Sequence, residues 1–276
     1  MKTEKVNMRF KNLKVNRCVV RVLLFHLFTF SPLYVSAQVG EFRKDLAVGF
    51  NGGVVMSNVA FVPTVPQTML NGPTFGLTAR YTCEKYFSSI CAVVAELNYT
   101  QMGWKEKILD MDDQPVYYYG DDDKTNPLYY KRRINYFQIP LMARLGWGRE
   151  RKGFQAFFQI GPQVGFYLSE KTEANFDIDH PNTSARVSKI SSSTYSNMYH
   201  MSVENKVDYG IAGGLGLEFS HRRLGHFLVE GRYYFGLGNI YGNSKRDFFG
   251  KSNYANILIK AAYLFDISKS KNPKIK

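Results

Sequence analysis

The chain has 276 residues, is rich in Tyr (19), Phe (21) and Gly (23), and carries a formal net charge of +13. Aromatic and Gly-rich sequences of this kind suit all-β folds, because aromatic side chains pack well on pleated sheets. The first 37 residues hold seven of the 36 basic and one of the 23 acidic residues, so the remainder carries only +7. Because no basic helix or basic-aromatic stripe accompanies it, this excess does not indicate nucleic-acid binding.

Residues 1–37 have the order of a cleaved signal peptide. A basic region precedes the apolar run 19–30, and the small residues Val35-Ser36-Ala37 follow, which predicts cleavage between Ala37 and Gln38. A transmembrane anchor is the alternative, but the apolar run is too short to cross ~30 Å of hydrocarbon as a helix. No run of eighteen apolar residues follows Ala37, so the mature chain is either a soluble exported protein or a β-barrel.

The mature chain alternates between apolar and small or polar residues in eight segments. In residues 153–168, for example, Phe154, Phe158 and Phe166 share one parity while Gln155 and Gln159 share the other. A period of two places the two sets on opposite faces of a strand. The eight predicted strands are residues 46–54, 74–83, 90–104, 131–147, 153–168, 207–219, 227–237 and 254–265.

The connections between these strands alternate in length. Long connections (55–73, 105–130, 169–206 and 238–253) alternate with short ones (84–89, 148–152 and 222–226). Long loops on one side and tight turns on the other are typical of outer-membrane barrels. The fold prediction is therefore all-β: a single eight-stranded antiparallel up-and-down transmembrane β-barrel over residues 38–268, followed by a basic tail, 269–276.

The bulky apolar face is predicted to lie outside, against lipid. An eight-stranded interior is just wide enough to be filled by side chains, and the Gly, Ala and polar face fits it better. Aromatic residues near the strand ends share the outward parity and resemble the two interfacial girdles of membrane barrels. They are Tyr81, Trp147, Phe154, Phe219, Phe227, Tyr263 and Phe265 on the turn side, and Tyr99, Phe166, Tyr209 and Phe235 on the loop side.

Seven charged residues share the inward parity, four of them positive and three negative. Buried charges persist in proteins when they are paired, so the near-balance predicts a salt-bridged plug, although a conduction pathway or a catalytic carboxylate pair is the alternative. This predicted lumen charge network consists of Arg80, Glu96, Arg144, Glu218, Glu230, Arg232 and Lys260.

Three stretches resemble strands of PorT-type outer-membrane β-barrel proteins. They are INYFQIPLMARL (134–145), GLGLEF (214–219) and EGRYYFGLGNI (230–240). The resemblance implies a porin-like, eight-stranded outer-membrane barrel with no known active site. One member of the family is associated with a protein secretion system, while most members have no assigned role. Because Pro140 removes a ladder donor from its strand, we expect a bulge or kink there.

Two further features are candidate sites. Cys83 and Cys91 flank the short turn 84–89, and either a disulfide or two free thiols fits an oxidising compartment. The second long loop could bind Ca²⁺ through carboxylates, but it lacks EF-hand spacing and is more typical of a solvated loop. It is also a candidate contact surface, since Tyr is favoured where proteins meet partners. Its residues are Tyr117, Tyr118, Tyr119, Asp121, Asp122 and Asp123.

No residue pattern predicts a cofactor, a metal centre or a catalytic motif. The leading hypothesis is a non-enzymatic barrel in the outer membrane of a Gram-negative bacterium. It would act as a scaffold or interaction platform through four long extracellular loops, with outer-membrane lipid, lipopolysaccharide or an envelope or secretion-system protein as partner. The alternatives are a small porin and a lipid-modifying enzyme that uses a Ser–His pair in the third loop (Ser191–Ser193, His200).

Overall fold

The structure is a computed structural model that describes residues 41–109, 112–117, 126–179, 199–242 and 248–270. In these residues no helix is long and apolar enough to cross a membrane. Eight long strands and two short ones, β2 and β3, make up the fold. The strands are β1 (Glu41–Ser57), β2 (Val59–Val62), β3 (Gln67–Thr68), β4 (Leu70–Tyr86), β5 (Ser89–Lys107), β6 (Tyr129–Gly148), β7 (Gly153–Ala174), β8 (Val207–His221), β9 (Gly225–Gly236) and β10 (Lys251–Ser268).

The eight long strands form a closed antiparallel barrel. Each pairs with its neighbour in the order β1-β4-β5-β6-β7-β8-β9-β10, and β10 pairs back onto β1 with Gly49 opposite Leu264. Closure leaves no open strand edge within the barrel wall. The predicted eight-stranded antiparallel barrel is therefore confirmed. The two short strands extend the wall on the loop side, where β2 pairs with β10 and β3 with β5.

The outward face is apolar, as predicted. Leu215 is 66% exposed on β8, whereas Glu218 on the same strand is 1% exposed and faces the lumen. All the predicted girdle aromatics face outward, with Tyr99 half-buried and the others exposed. Outward apolar side chains beside a polar interior are the arrangement of a membrane barrel and the reverse of a soluble one.

The pattern inverts near the loop-side ends of the strands. On β6, Lys131 and Arg133 face outward, while Tyr130 and Ile134 are buried inside. At this level the outer surface has left the hydrocarbon and can be charged, and the interior packs against the loops. Strands β5, β6 and β7 consequently run several residues beyond their predicted loop-side ends, to Lys107, Tyr129 and Ala174.

The bulge expected at Pro140 is not present. Pairing between β5 and β6 is interrupted beside Pro140 but resumes in the same register, from Ala95–Leu141 to Asn98–Gln138. The missing Pro donor thus removes ladder hydrogen bonds without inserting a residue. A register shift does occur on β6, but it lies between Asn135 and Tyr136, in the pairing of β6 with β7.

Candidate functional site

All seven predicted inward charges lie buried in the lumen, and each belongs to an ion-paired group. Their positions along the strands separate them into two groups. The central network contains Glu96, Glu230, Arg232 and Lys260, and the turn-side network contains Arg80, Arg144 and Glu218. A buried charge is tolerated when its partners replace the lost hydration.

The central network is balanced, with two carboxylates and two cations. Arg232 Nη2 lies 2.8 Å from Glu96 Oε1, and its Nε lies 2.8 Å from Glu230 Oε1. Lys260 pairs with both Glu96 and Glu230, lying 3.3 Å from Glu230 Oε2. Neutral donors complete the set: Asn98 donates to Glu96 at 2.9 Å and Gln159 donates to Glu230 at 2.6 Å. The carboxylates are therefore neutralised and hydrogen-bonded from several strands.

In the turn-side network two arginines share one carboxylate. Arg80 donates to Glu218 at 2.6 Å, and Arg144 also pairs with Glu218. His226 lies between two acids, with Nδ1 2.7 Å from Glu218 Oε1 and Nε2 3.0 Å from Asp266 Oδ1. With a carboxylate at each ring nitrogen, the geometry favours the doubly protonated imidazolium.

Sequence reasoning missed His226 and Asp266. The predicted strands ended at residues 227 and 265, whereas β9 begins at Gly225 and β10 runs to Ser268. Extending the period of two by one residue places both side chains on the same parity as Glu230 and Lys260. The signal was therefore present in the sequence, at the turn-side ends of two strands.

An apolar layer separates the two networks. It consists of Ala47, Phe157, Leu228 and Leu264, all buried. The Arg144 guanidinium lies 3.7 Å from the centroid of the Phe157 ring, a cation–π contact that joins the layer to the turn-side network.

A loop-side aromatic cluster fills the other end of the lumen, and sequence reasoning missed it because its inward residues are apolar. Phe61 packs on Trp104 and Phe249, with centroids 5.1 and 4.6 Å apart, and Tyr241 stacks on Phe249 at 5.7 Å. The buried Arg132 donates to the Tyr241 hydroxyl and pairs with Glu170 at 3.3 Å. The cluster comprises Phe61, Trp104, Tyr130, Tyr199, Tyr241 and Phe249.

The lumen cavities are small. One of about 50 Å³ lies at the turn-side mouth among Arg80, Arg144, Glu218 and Arg222. Another of about 10 Å³ lies between the two networks, lined by Phe157 and other side chains. Since a cavity needs roughly 10–15 Å³ for one water, these spaces hold a few waters and do not form a hydrated path through the described part of the barrel.

The lumen contains a Ser–His–Asp arrangement that does not resemble a working triad. Ser220 Oγ lies 2.9 Å from His226 Nδ1, and His226 contacts Asp266. Yet Ser220 is buried and donates at 3.1 Å to Glu218, beside which an attacking alkoxide would be repelled. In the third loop, His200 pairs with Asp179 at 2.8 Å, and the predicted Ser191–Ser193 lie outside the described residues.

Cys83 and Cys91 are free thiols in the structure. A register shift between Thr82 and Glu84 places Glu84, rather than Cys83, directly opposite Cys91. A cross-strand disulfide needs facing Cβ atoms, and the bulge moves Cys83 out of that position. The structure therefore contains no bond between these two residues, for which the sequence left both a disulfide and two free thiols open.

Of the predicted loop contact surface, the structure describes Tyr117. This residue is half-buried and forms an isolated antiparallel β-bridge with Pro127. Tyr118, Tyr119, Asp121, Asp122 and Asp123 lie outside the described residues. Among the described residues, no group of three or more His, Cys, Asp or Glu side chains is arranged to hold a metal ion.

Comparison with solved structures finds barrels with low sequence identity. OprG from Pseudomonas aeruginosa is 14% identical and has a TM-score of 0.40, over 82% of this chain and 98% of that one. Ail, the attachment invasion locus protein of Yersinia pestis, in complex with the heparin analogue sucrose octasulfate, is 13% identical with a TM-score of 0.35, over 80% and 99%. Neisserial surface protein A is 7% identical with a TM-score of 0.36, over 80% and 97%.

No curated protein matches the chain. A family described as outer membrane protein beta-barrel domain matches residues 36–242, most of the chain. The match agrees with the closed barrel, its apolar outer face and its polar interior, and it implies the outer membrane of a Gram-negative bacterium. The chain belongs to the outer membrane protein beta-barrel domain family.

Proposed function

We propose that this barrel is a non-conducting, non-enzymatic interaction platform that acts through its loop side. The observation that carries the proposal is the filled lumen. The turn-side network, the apolar layer, the central network and the loop-side aromatic cluster occupy successive levels of its length. A barrel whose lumen is filled by side chains cannot conduct solutes through it, so its function depends on its outer surface and its loops.

Two kinds of partner fit this role. The apolar outer face takes outer-membrane lipid, including lipopolysaccharide, and the loops take an envelope protein. The resemblance of residues 134–145, 214–219 and 230–240 to PorT-type strands supports a secretion-system protein as that partner. The same role accounts for four long connections on one side of a barrel that has short turns on the other.

The porin and enzyme alternatives have less support. A porin needs a water-filled lumen. Here the inward side chains pair with one another across the barrel, as Arg80 and Glu218 do, and they occupy the space that water would need. A lipid hydrolase needs an accessible nucleophile, and Ser220, which contacts His226, is buried.

Site-directed photo-crosslinking in intact cells tests the platform role. A photoreactive residue replaces Thr64 in the first loop or Phe248 in the fourth, both exposed, and Leu224 in a turn serves as the control. Both loop positions are expected to give an adduct with the same envelope protein, and Leu224 is not. Equal adducts from Leu224, or none from either loop in correctly folded barrels, would overturn the proposal.

A further inference from the structure

Five cations lie side by side on the outer surface of β5, β6 and β7. In the strand register, Lys105 is directly opposite Lys131, which is opposite Glu173. Two residues nearer the membrane, Arg133 is opposite Lys171. Lys107 continues the β5 row outward. The β5–β7 basic patch is Lys105, Lys107, Lys131, Arg133 and Lys171.

The patch contains too little negative charge of its own. Glu173 is shared by three of the cations, with distances of 3.1 Å to Lys131, 3.0 Å to Arg133 and 3.6 Å to Lys171. With five positive charges and this one carboxylate, the patch carries +4. Like charges directly opposite each other destabilise a strand pair, and the register creates two such pairs, Lys105–Lys131 and Arg133–Lys171. An anion from outside the chain would relieve both.

The position of the patch indicates where that anion comes from. Phe137 on β6 lies directly between the girdle residues Tyr99 and Phe166 in the strand register. From Phe137 the outward side chains of β6 run through Asn135 to Arg133 and Lys131. Strands rise about 3.3 Å per residue, so the cations lie roughly 10–20 Å beyond Phe137 along the strand. They face sideways, over the lipid, at the level of the head groups that cover the outer leaflet.

The cations of the patch occupy neighbouring positions on three adjacent strands. Strand β8 begins at Val207, directly opposite the girdle residue Phe166, so it does not reach the level of the patch. Strands β5, β6 and β7 continue beyond the girdle, to Lys107, Tyr129 and Ala174, and all five cations lie on these extensions. This local density of positive charge indicates a discrete binding surface.

We propose that the β5–β7 basic patch binds the phosphate groups of a phosphorylated glycolipid in the outer leaflet, whose acyl chains lie along the apolar face below. Lys171, with a side chain 73% exposed, is placed for first contact. Arg133 offers a planar fork suited to a phosphate. This inference rests on the lipid-binding outer face of the proposed function and is independent of what the loops bind.

The test is native mass spectrometry of the full-length barrel with diphosphorylated lipid A, and with dephosphorylated lipid A of the same acyl composition. The triple variant Lys131→Gln, Arg133→Gln, Lys171→Gln is compared with the triple variant Lys44→Gln, Arg223→Gln, Lys251→Gln, which removes the same charge from exposed positions elsewhere. A heat-modifiability gel verifies that every variant is a closed barrel.

Wild type and the second triple variant are expected to retain diphosphorylated lipid A at least about tenfold better than the patch variant. The conservative variant Lys131→Arg, Lys171→Arg should bind like wild type. Equal binding by the patch variant, or equal retention of dephosphorylated lipid A, would overturn the proposal. Full competition by inorganic phosphate at a similar concentration would also overturn it, because it would indicate a site for the free ion.

Discussion

The central network holds Glu96 and Glu230 against Arg232 and Lys260 in a lumen from which bulk water is excluded. An ion pair of this kind contributes little net stability over an apolar filling, but the loss of one partner leaves a buried charge uncompensated. Arg232 contacts both carboxylates, so it is the residue on which the network depends most.

The variant Arg232→Leu is expected to lower the free energy of unfolding by about 3–5 kcal/mol, because it leaves two carboxylates with Lys260 alone. Urea unfolding in lipid vesicles, followed by Trp fluorescence, measures the change. Arg223→Leu in the exposed β8–β9 turn is the control, with an expected change within about 0.5 kcal/mol. Equal effects of the two substitutions would contradict the assigned role of Arg232.

A second residue-scale prediction concerns the turn-side end. Glu150, in the β6–β7 turn, pairs with Arg43 at 2.9 Å and with Lys85 at 2.8 Å, and so joins this turn to the start of β1 and the end of β4. Burial opposes ionisation, but the hydrogen bonds from Arg43 and Lys85 prevail and hold the pKa of Glu150 below its usual value of 4.5. A depressed folded-state pKa stabilises the fold above pH 4.5, and that contribution is lost as pH falls through the folded-state pKa.

Glu150→Gln should therefore reduce stability near neutral pH, by about 1–3 kcal/mol from the lost charged hydrogen bonds. The difference between wild type and variant should shrink as the pH falls below 4.5. Unfolding titrations at a series of pH values measure it. A difference that stays constant down to the acid limit would show that Glu150 does not titrate in this ion pair.

At the scale of strands, alternation predicted all eight long strands because each one meets lipid on one face and side chains on the other. The alternation pattern failed to predict the strand ends, where the outward face no longer meets lipid. Beyond the girdle, Tyr130 faces inward and Lys105 faces outward, so these residues, which continue β6 and β5, were assigned to a loop. The short strands β2 and β3, of four and two residues, carry too few alternations to be recognised.

The lipid-facing assignment predicts a dependence on depth along β8. Leu215→Arg, near the middle of the strand, should cost about 2–4 kcal/mol, whereas Val207→Arg at its loop-side end should cost about 0–1 kcal/mol. Both residues are exposed and share one parity, so only the depth differs. Unfolding in lipid vesicles measures the two costs, and similar values would mean that Leu215 does not lie in hydrocarbon.

At the scale of the whole molecule, the barrel is a filled cylinder. The inward parity of the sequence predicted which charges enter the lumen, but it did not predict which of them pair, because partners such as Arg80 and Glu218 lie on β4 and β8 and are set by closure and tilt. The loop-side aromatic cluster depends on loops that fold over the barrel mouth, which a local sequence pattern cannot encode.

Single-channel recording of the purified, folded barrel in a planar lipid bilayer in concentrated KCl tests the central claim most directly. Insertion is verified first by the mobility shift between boiled and unboiled samples. The filled lumen predicts a silent bilayer, with no current steps above the lipid baseline at any applied voltage. Reproducible current steps whose frequency rises with the amount of inserted protein would show that water and ions cross the lumen. That result would contradict the filled lumen and identify the protein as a porin.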